Sequence, residues 1–205
     1  SYGGGSGTSE PVVIWEYKVE DDGNATITSY KGTASAVAVP STIDGYKVTK
    51  IGASAFKNNK NLYSVTMPNS VTEIGNSAFY NCTNLSNLKL PSNITTLGCQ
   101  TFYGCDSLTE IYIPKTLQVL DWPFSNSGVV TAEFEYGITT IPDDIFNGAS
   151  KLKYVEIPET VTEIGSASFK ECTALETIKL PEYIVKIGNS AFYNCTNLSN
   201  LKLPS

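Results

Sequence analysis

Apolar residues recur along this chain at two superposed periods. Over short windows they alternate, as in Leu88-Lys89-Leu90 and Ile178-Lys179-Leu180, which is the spacing of a half-buried strand. Over longer windows the alternating run returns every 23 residues, ending on Pro40, Pro68, Pro91, Pro114, then Glu135 in place of proline, then Pro158, Pro181 and Pro204. The first interval is 28 residues, because IDGYKVTKIG from Ile43 adds five around an Asp44-Gly45 turn. The interval from Pro114 to Glu135 is 21. Residues 74–92 and 187–205 are the same nineteen letters, IGNSAFYNCTNLSNLKLPS. Self-similarity at this period means one supersecondary unit stacked on itself.

Within a unit the apolar positions keep their phase. Three residues after the proline stands Val71, Ile94, Leu117, Ile138, Val161 or Ile184, and three further on stands Ile74, Leu97, Leu120, Ile141, Ile164 or Ile187, usually followed by glycine. A phenylalanine recurs in all seven units, as Phe56, Phe79, Phe102, Phe124, Phe146, Phe169 and Phe192. A leucine follows in six of them, from Leu62 to Leu198. Each unit is therefore expected to form one coil, with a short strand just before the proline, which cannot donate to a ladder. The glycine is expected to serve a sharp turn. Asn76-Ser77 and Asn189-Ser190 are expected to cap a brief helical turn that carries Ala and Phe. The phenylalanines then form a structural ladder inside a continuous core rather than a ligand box.

Three segments follow. Residues 1–11, SYGGGSGTSEP, read as a flexible Gly/Ser linker at a mature or trimmed N-terminus. Residues 12–39 contain a hairpin about Asp22-Gly23 and read as an N-terminal β-hairpin cap over the first apolar layer. Residues 40–205 are the repeat array, which is expected to continue beyond residue 205 in a longer chain. The unit at 115–135, KTLQVLDWPFSNSGVVTAEFE, lacks the glycine, the cysteine and the leucine, so a local bend or bulge is expected there.

Composition narrows the function classes. Apolar residues at 41% and charged residues at 17% supply ample core and exclude a disordered chain. A net charge of -6 argues against a nucleic-acid partner. Zero histidines removes the commonest general base and the commonest neutral metal ligand. No run approaches the roughly 18 apolar residues of a membrane helix, so no membrane insertion is expected.

The pattern Ile-Gly-x-x-Ala-Phe-x-x-Cys-x-x-Leu-x-x-Leu-x-Leu-Pro at 74–91 and 187–204 resembles the BspA-like, or Treponema-type, leucine-rich repeat family. WEYKVEDDGNATITSYKG from Trp15 and VPSTIDGYKVTKIG from Val39 resemble the usual start of such arrays. The expected fold is an α/β repeat: a right-handed leucine-rich-repeat solenoid of about seven 23-residue coils, with parallel strands on its concave face. The resemblance implies an exported or cell-surface recognition or adhesion module of an anaerobic or host-associated microbe, not a reaction.

Chemistry-bearing residues read mostly as scaffold. Cys82, Cys105, Cys172 and Cys195 share one phase, fourteen residues after the proline. Parallel stacking keeps their β carbons near strand spacing, wider than the roughly 3.8 Å a bridge prefers. The column also accepts Asn59 and Ala149, so buried thiols are expected in preference to disulfides. A ladder spreads its ligands along an axis, so no metal site is expected, nor any cofactor. Cys99 is out of phase and has no histidine partner. Asp143-Asp144 and Glu159 with Glu163 are the only candidate acid–base pairs for a glycosidase. The first is expected to begin a helical turn, where carboxylates are favoured. The second is expected on outward loops.

What remains is the outward side of the strands. One outward column holds Thr66, Lys89, Tyr112, Glu133, Glu156, Lys179 and Lys202, and the other holds Ser64, Asn87, Glu110, Thr131, Tyr154, Thr177 and Asn200. Lys89, Glu110, Tyr112, Glu133, Tyr154, Glu156 and Lys179 form the expected partner-binding face, since tyrosines beside charge suit protein or glycan contacts. The irregular coil around Trp122 is a further candidate surface. The expected function is non-enzymatic recognition of a macromolecular ligand, a host or bacterial surface protein or a glycan. End-to-end self-association is a further possibility at the C-terminal strand. A spacer within a larger surface protein is the alternative, and a carbohydrate-active enzyme the remote one.

Overall fold

A computed structural model describes residues 14–202; the linker at 1–11 and Pro204-Ser205 lie outside the described residues. The first described elements form a hairpin. Trp15–Val19 pairs antiparallel with Ala25–Tyr30, and Gly23 supplies the positive φ its turn requires. Ala25–Tyr30 then pairs in parallel with Tyr46–Ile51. A second tight turn joins Thr42–Ile43 to Tyr46–Ile51 through Asp44-Gly45, both at positive φ, which is the two-residue geometry this dipeptide favours.

From there the chain is a β-solenoid of parallel strands. Each coil crosses one side as a short strand ahead of the proline position: Ala36–Ala38, Ser64–Thr66, Asn87–Leu88, Glu110–Ile113, Thr131–Phe134, Tyr154–Glu156, Thr177–Lys179 and Asn200–Lys202. These are called the front strands below. Each coil also forms a second strand of two residues, not anticipated from the sequence, at Glu73–Ile74, Thr96–Leu97, Val119–Leu120, Thr140–Ile141, Glu163–Ile164 and Lys186–Ile187. Two residues are too few for an alternation to register, and this pairing comes from stacking alone. The second ladder breaks once, between Val119–Leu120 and Thr140–Ile141, where Asp121 and Pro142 stand in place of the repeat's glycine.

No helix occurs among the described residues, so the α/β reading and the capped helical turn are corrected. The reason lies in the backbone. Every coil carries two left-handed residues four positions apart, such as Ser77 and Asn81, Trp122 and Asn126, or Glu171 with Ala167. Amide donors alternate in direction between them. Ala78, Tyr80 and Cys82 donate within the coil to Gly75, Ser77 and Phe79, whereas Ser77, Phe79 and Asn81 donate to Cys99, Thr101 and Tyr103 of the next coil. Half of the donors that a helix would need are thereby committed to the neighbouring coil. Asn76 does not cap a helix; its Oδ1 accepts the Cys99 amide of the following coil at 2.8 Å.

The glycine after the second strand is also explained differently. Gly98 and Gly165 do not have positive φ. A Cβ on Gly98 would lie 2.4 Å from the Asn76 amide nitrogen, and one on Gly165 would lie 2.5 Å from the Ile141 carbonyl oxygen. Close approach of successive backbones, not turn geometry, demands the missing side chain.

Inside, the columns merge into one core. Phe56, Phe79, Phe102, Phe124, Phe146 and Phe169 are fully buried, and successive rings lie 4.9 to 6.0 Å apart as far as half-buried Phe192. The stack begins on Tyr30 and Trp15 of the hairpin, whose rings lie 5.4 and 6.0 Å from Phe56.

Candidate functional site

The front strands hold the outward side chains in register. Glu110 pairs with Thr131 and Thr131 with Tyr154, while Tyr112 pairs with Glu133 and Glu133 with Glu156. All six are exposed, as are Lys89 and Lys179. Their inward neighbours Ile111, Ile113, Ala132 and Phe134 are buried, so alternation along each strand divides core from surface residue by residue. Tyr112 and Tyr154 present 47% and 63% of their surfaces to solvent, which makes aromatic faces available at the centre of the array.

The carboxylates of this patch make no ion pair among the described residues, although Lys153 and Lys179 line the same grooves as Glu133 and Glu156. Glu133 and Glu156 face the same way on neighbouring strands, about 4.8 Å apart by strand spacing. The ion pairs among the described residues are Lys18–Glu20, Lys50–Glu73 and Lys151–Asp106, and none neutralises Glu110, Glu133 or Glu156. The phenol of Tyr112 is held above its ordinary pKa, first by partial desolvation and then by the negative charges of Glu135 and Glu133.

Two seams interrupt the front sheet. Strand pairing is absent between Asn87–Leu88 and Glu110–Ile113, and again between Tyr154–Glu156 and Thr177–Lys179. An open groove of about 870 Å³ lies at the first, bordered by Thr66, Met67, Lys89, Leu90, Tyr112 and Glu135. A smaller one of about 430 Å³ lies beside Glu133, Tyr136, Glu156, Glu159 and Lys179. Sequence reasoning passed over Tyr136, 76% exposed, because it falls in a turn outside both strand columns.

The candidate acid–base pairs take other roles. Asp143 Oδ1 accepts the Ser166 amide at 2.7 Å, the same service Asn76 performs, and Asp144 Oδ1 accepts from Asn147 Nδ2. Asp144 is itself left-handed, so it does not start a helix. Glu159 borders a front groove, whereas Glu163 is not on an outward loop: it lies in the second ladder between Thr140 and Lys186.

The cysteines are free thiols. Cys82, Cys105, Cys172 and Cys195 each donate to the carbonyl of the phenylalanine one coil earlier, at 3.0 to 3.2 Å. Burial pushes the Cys82 thiol up to about 12 and moves Cys105 and Cys172 further in the same direction, which keeps them protonated and unreactive. Trp122 is 46% exposed and left-handed, at the phase that Ser77 and Asp144 hold in other coils.

The family model for the BspA type leucine rich repeat region matches in six copies over residues 38–152 and 121–205. The chain belongs to that family. A leucine rich repeat protein of T. pallidum is similar at 29% identity and a TM-score of 0.78, covering 93% of this chain and 91% of that one. A leucine rich cell surface protein from Faecalibacterium prausnitzii A2-165 is 34% identical with a TM-score of 0.69, over 91% of this chain and 52% of that one. A leucine-rich repeat protein from Bacteroides ovatus is 27% identical with a TM-score of 0.75, over 94% of this chain and 52% of that one. The chain thus spans about half the length of the latter two. Comparison with curated proteins returned no match. The family and these relatives point to a protein-interaction module, and no helix among the described residues is long and apolar enough to cross a membrane.

Proposed function

We propose that this chain is a non-enzymatic recognition module, secreted or displayed at a cell surface, that binds a macromolecular partner on the outward face of its front strands. The face centres on Glu110, Tyr112, Glu133, Tyr154 and Glu156, with Lys89 and Lys179 at its margins. In this reading the solenoid is right-handed, the hand that strand–crossover–strand connections adopt in about 98% of cases, and the front face is its concave side. The N-terminal hairpin serves as the cap, closing the aromatic stack with Trp15 and Tyr30.

One observation carries the proposal. Two exposed tyrosines and three carboxylates without ion-pair partners among the described residues occupy in-register positions on three consecutive strands whose opposite face packs on the core. Asp143 is taken up by a backbone amide, Asp144 by the Asn147 side chain and the four in-phase thiols by backbone carbonyls, which supports a binding role over a catalytic one. The cell-surface description of the F. prausnitzii relative supports the location.

A binding screen against extracellular matrix proteins and glycans tests this, with Tyr112→Ala and Tyr154→Ala as paired variants. A ligand that binds the parent chain and loses affinity with both variants is the expected result. A ligand bound equally well by both would remove the front face from the account, and the absence of any ligand would favour the spacer role.

A further inference from the structure

The front face also indicates what kind of partner fits it, an inference that rests on the recognition role proposed above. Glu133 and Glu156 stand side by side on parallel strands, and like charges in that relation destabilise a sheet. The fold gains nothing from the pair, since the same column elsewhere accepts Thr66, Lys89 or Lys179. Tyr112 adjoins Glu133 in register, and Tyr154 lies in the neighbouring column of the same strand as Glu156. Aromatic faces beside carboxylates that hold no ion pair among the described residues attract cations twice over, through the ring and through the charge.

A single metal ion does not fit, because no three potential ligands converge among the described residues. The charges are spread along the stacking axis instead, which matches a cation distributed along a chain. Lysines bound the acidic stretch: Tyr112, Glu133, Glu156 and Lys179 lie on four successive front strands, and Lys89 directly follows the strand before them. Tyr112, Glu133 and Glu156 lie on paired strands two spacings across, about 10 Å, the reach of roughly three extended residues, and the lysines stand beyond the seams on either side. Same-face side chains of such a segment recur about every 6.7 Å, so two fall over the central carboxylates and tyrosines.

We propose that the partner presents a short extended segment with two closely spaced arginines over Glu133 and Glu156, followed on either side by neutral or acidic residues that meet Lys89 and Lys179. Arginine suits the site better than lysine because its planar guanidinium both stacks on tyrosine and forks to carboxylate. Glu110 reinforces the attraction from the adjoining column.

The test uses the chain as described here and a fluorescent ten-residue peptide, with two arginines two positions apart at its centre and aspartates at both ends. Anisotropy titration at physiological ionic strength is expected to show saturable binding that weakens as salt rises. Glu133→Gln/Glu156→Gln is expected to weaken it about tenfold, whereas Asp21→Asn/Glu171→Gln, which removes two exposed charges off the front face, leaves it unchanged. Replacing the arginines by glutamine abolishes binding. Equal weakening by both double variants would reduce the effect to net charge and overturn the proposal, and so would failure of the arginine peptide to bind. If a neutral glycan or an acidic peptide binds instead, and Tyr112→Ala/Tyr154→Ala removes it, the front-face reading stands and the cationic partner class falls.

Discussion

A single front strand carries two kinds of sequence on its two faces. In Glu110–Ile113 the inward pair Ile111 and Ile113 is 4% and 0% exposed, and nearly every other coil places an aliphatic residue at those positions. The outward pair, Glu110 and Tyr112, is replaced by asparagine and lysine one coil earlier and by threonine and glutamate one coil later. Stacking makes every inner position see its own copies above and below, so a residue that packs well once packs well throughout. The outer positions meet water and are released from that constraint. The difference separates what holds the molecule together from what it offers to a partner.

The largest expected effect breaks the inner side. Phe102→Ala removes a fully buried ring stacked on Phe79 and Phe124, and is expected to cost about 3–5 kcal/mol in a urea titration. Phe192→Ala removes a half-buried ring with one stacking neighbour among the described residues and is expected to cost less than half as much. Equal losses would mean that the rings do not act through their neighbours. Gly98→Ala comes next, at about 1–3 kcal/mol, because its methyl group meets the Asn76 backbone. If Gly98→Ala is neutral by thermal denaturation, the coils can part without cost and the close-approach argument fails.

A smaller effect concerns pH. Below pH 9.0, the ordinary thiol value, Cys82 is protonated in both folded and unfolded chains, and the contribution of its burial is fully present. As pH rises from there towards about 12, the unfolded thiol ionises while the folded one does not, so stability falls. Cys105 and Cys172 act in the same sense. The urea midpoint is therefore expected to drop between pH 9.0 and about 12, less steeply for Cys82→Ala; identical slopes would contradict the shift.

The repeat makes the inner side legible in the sequence alone. Proline, phenylalanine and leucine positions located the coils, the front strands and the core, because each reports an apolar environment or a lost donor directly. What escaped was anything decided between coils. The two-residue second strands have no alternation to read. Asn76 and Ser77 look like helix-capping residues, yet Ser77 is left-handed and both bond to the next coil. The thiol column looked merely small and apolar, but each cysteine also supplies a donor to a phenylalanine carbonyl. The seams in the front sheet have no marker in the sequence at all, although they set the grooves beside Tyr112 and Glu156.

The claim beneath all of this is that folding energy lies on one side of the strands and recognition on the other. Thermal unfolding of the combined variant Tyr112→Ala/Glu133→Gln/Tyr154→Ala/Glu156→Gln, run beside Phe102→Ala, tests it most directly. The account predicts that the four outward changes leave Tm within about 2 °C of the parent, while the single inward change lowers it by about 10 °C. A fall for the outward variant comparable to that of Phe102→Ala would show that the exposed face belongs to the scaffold, and would contradict the account.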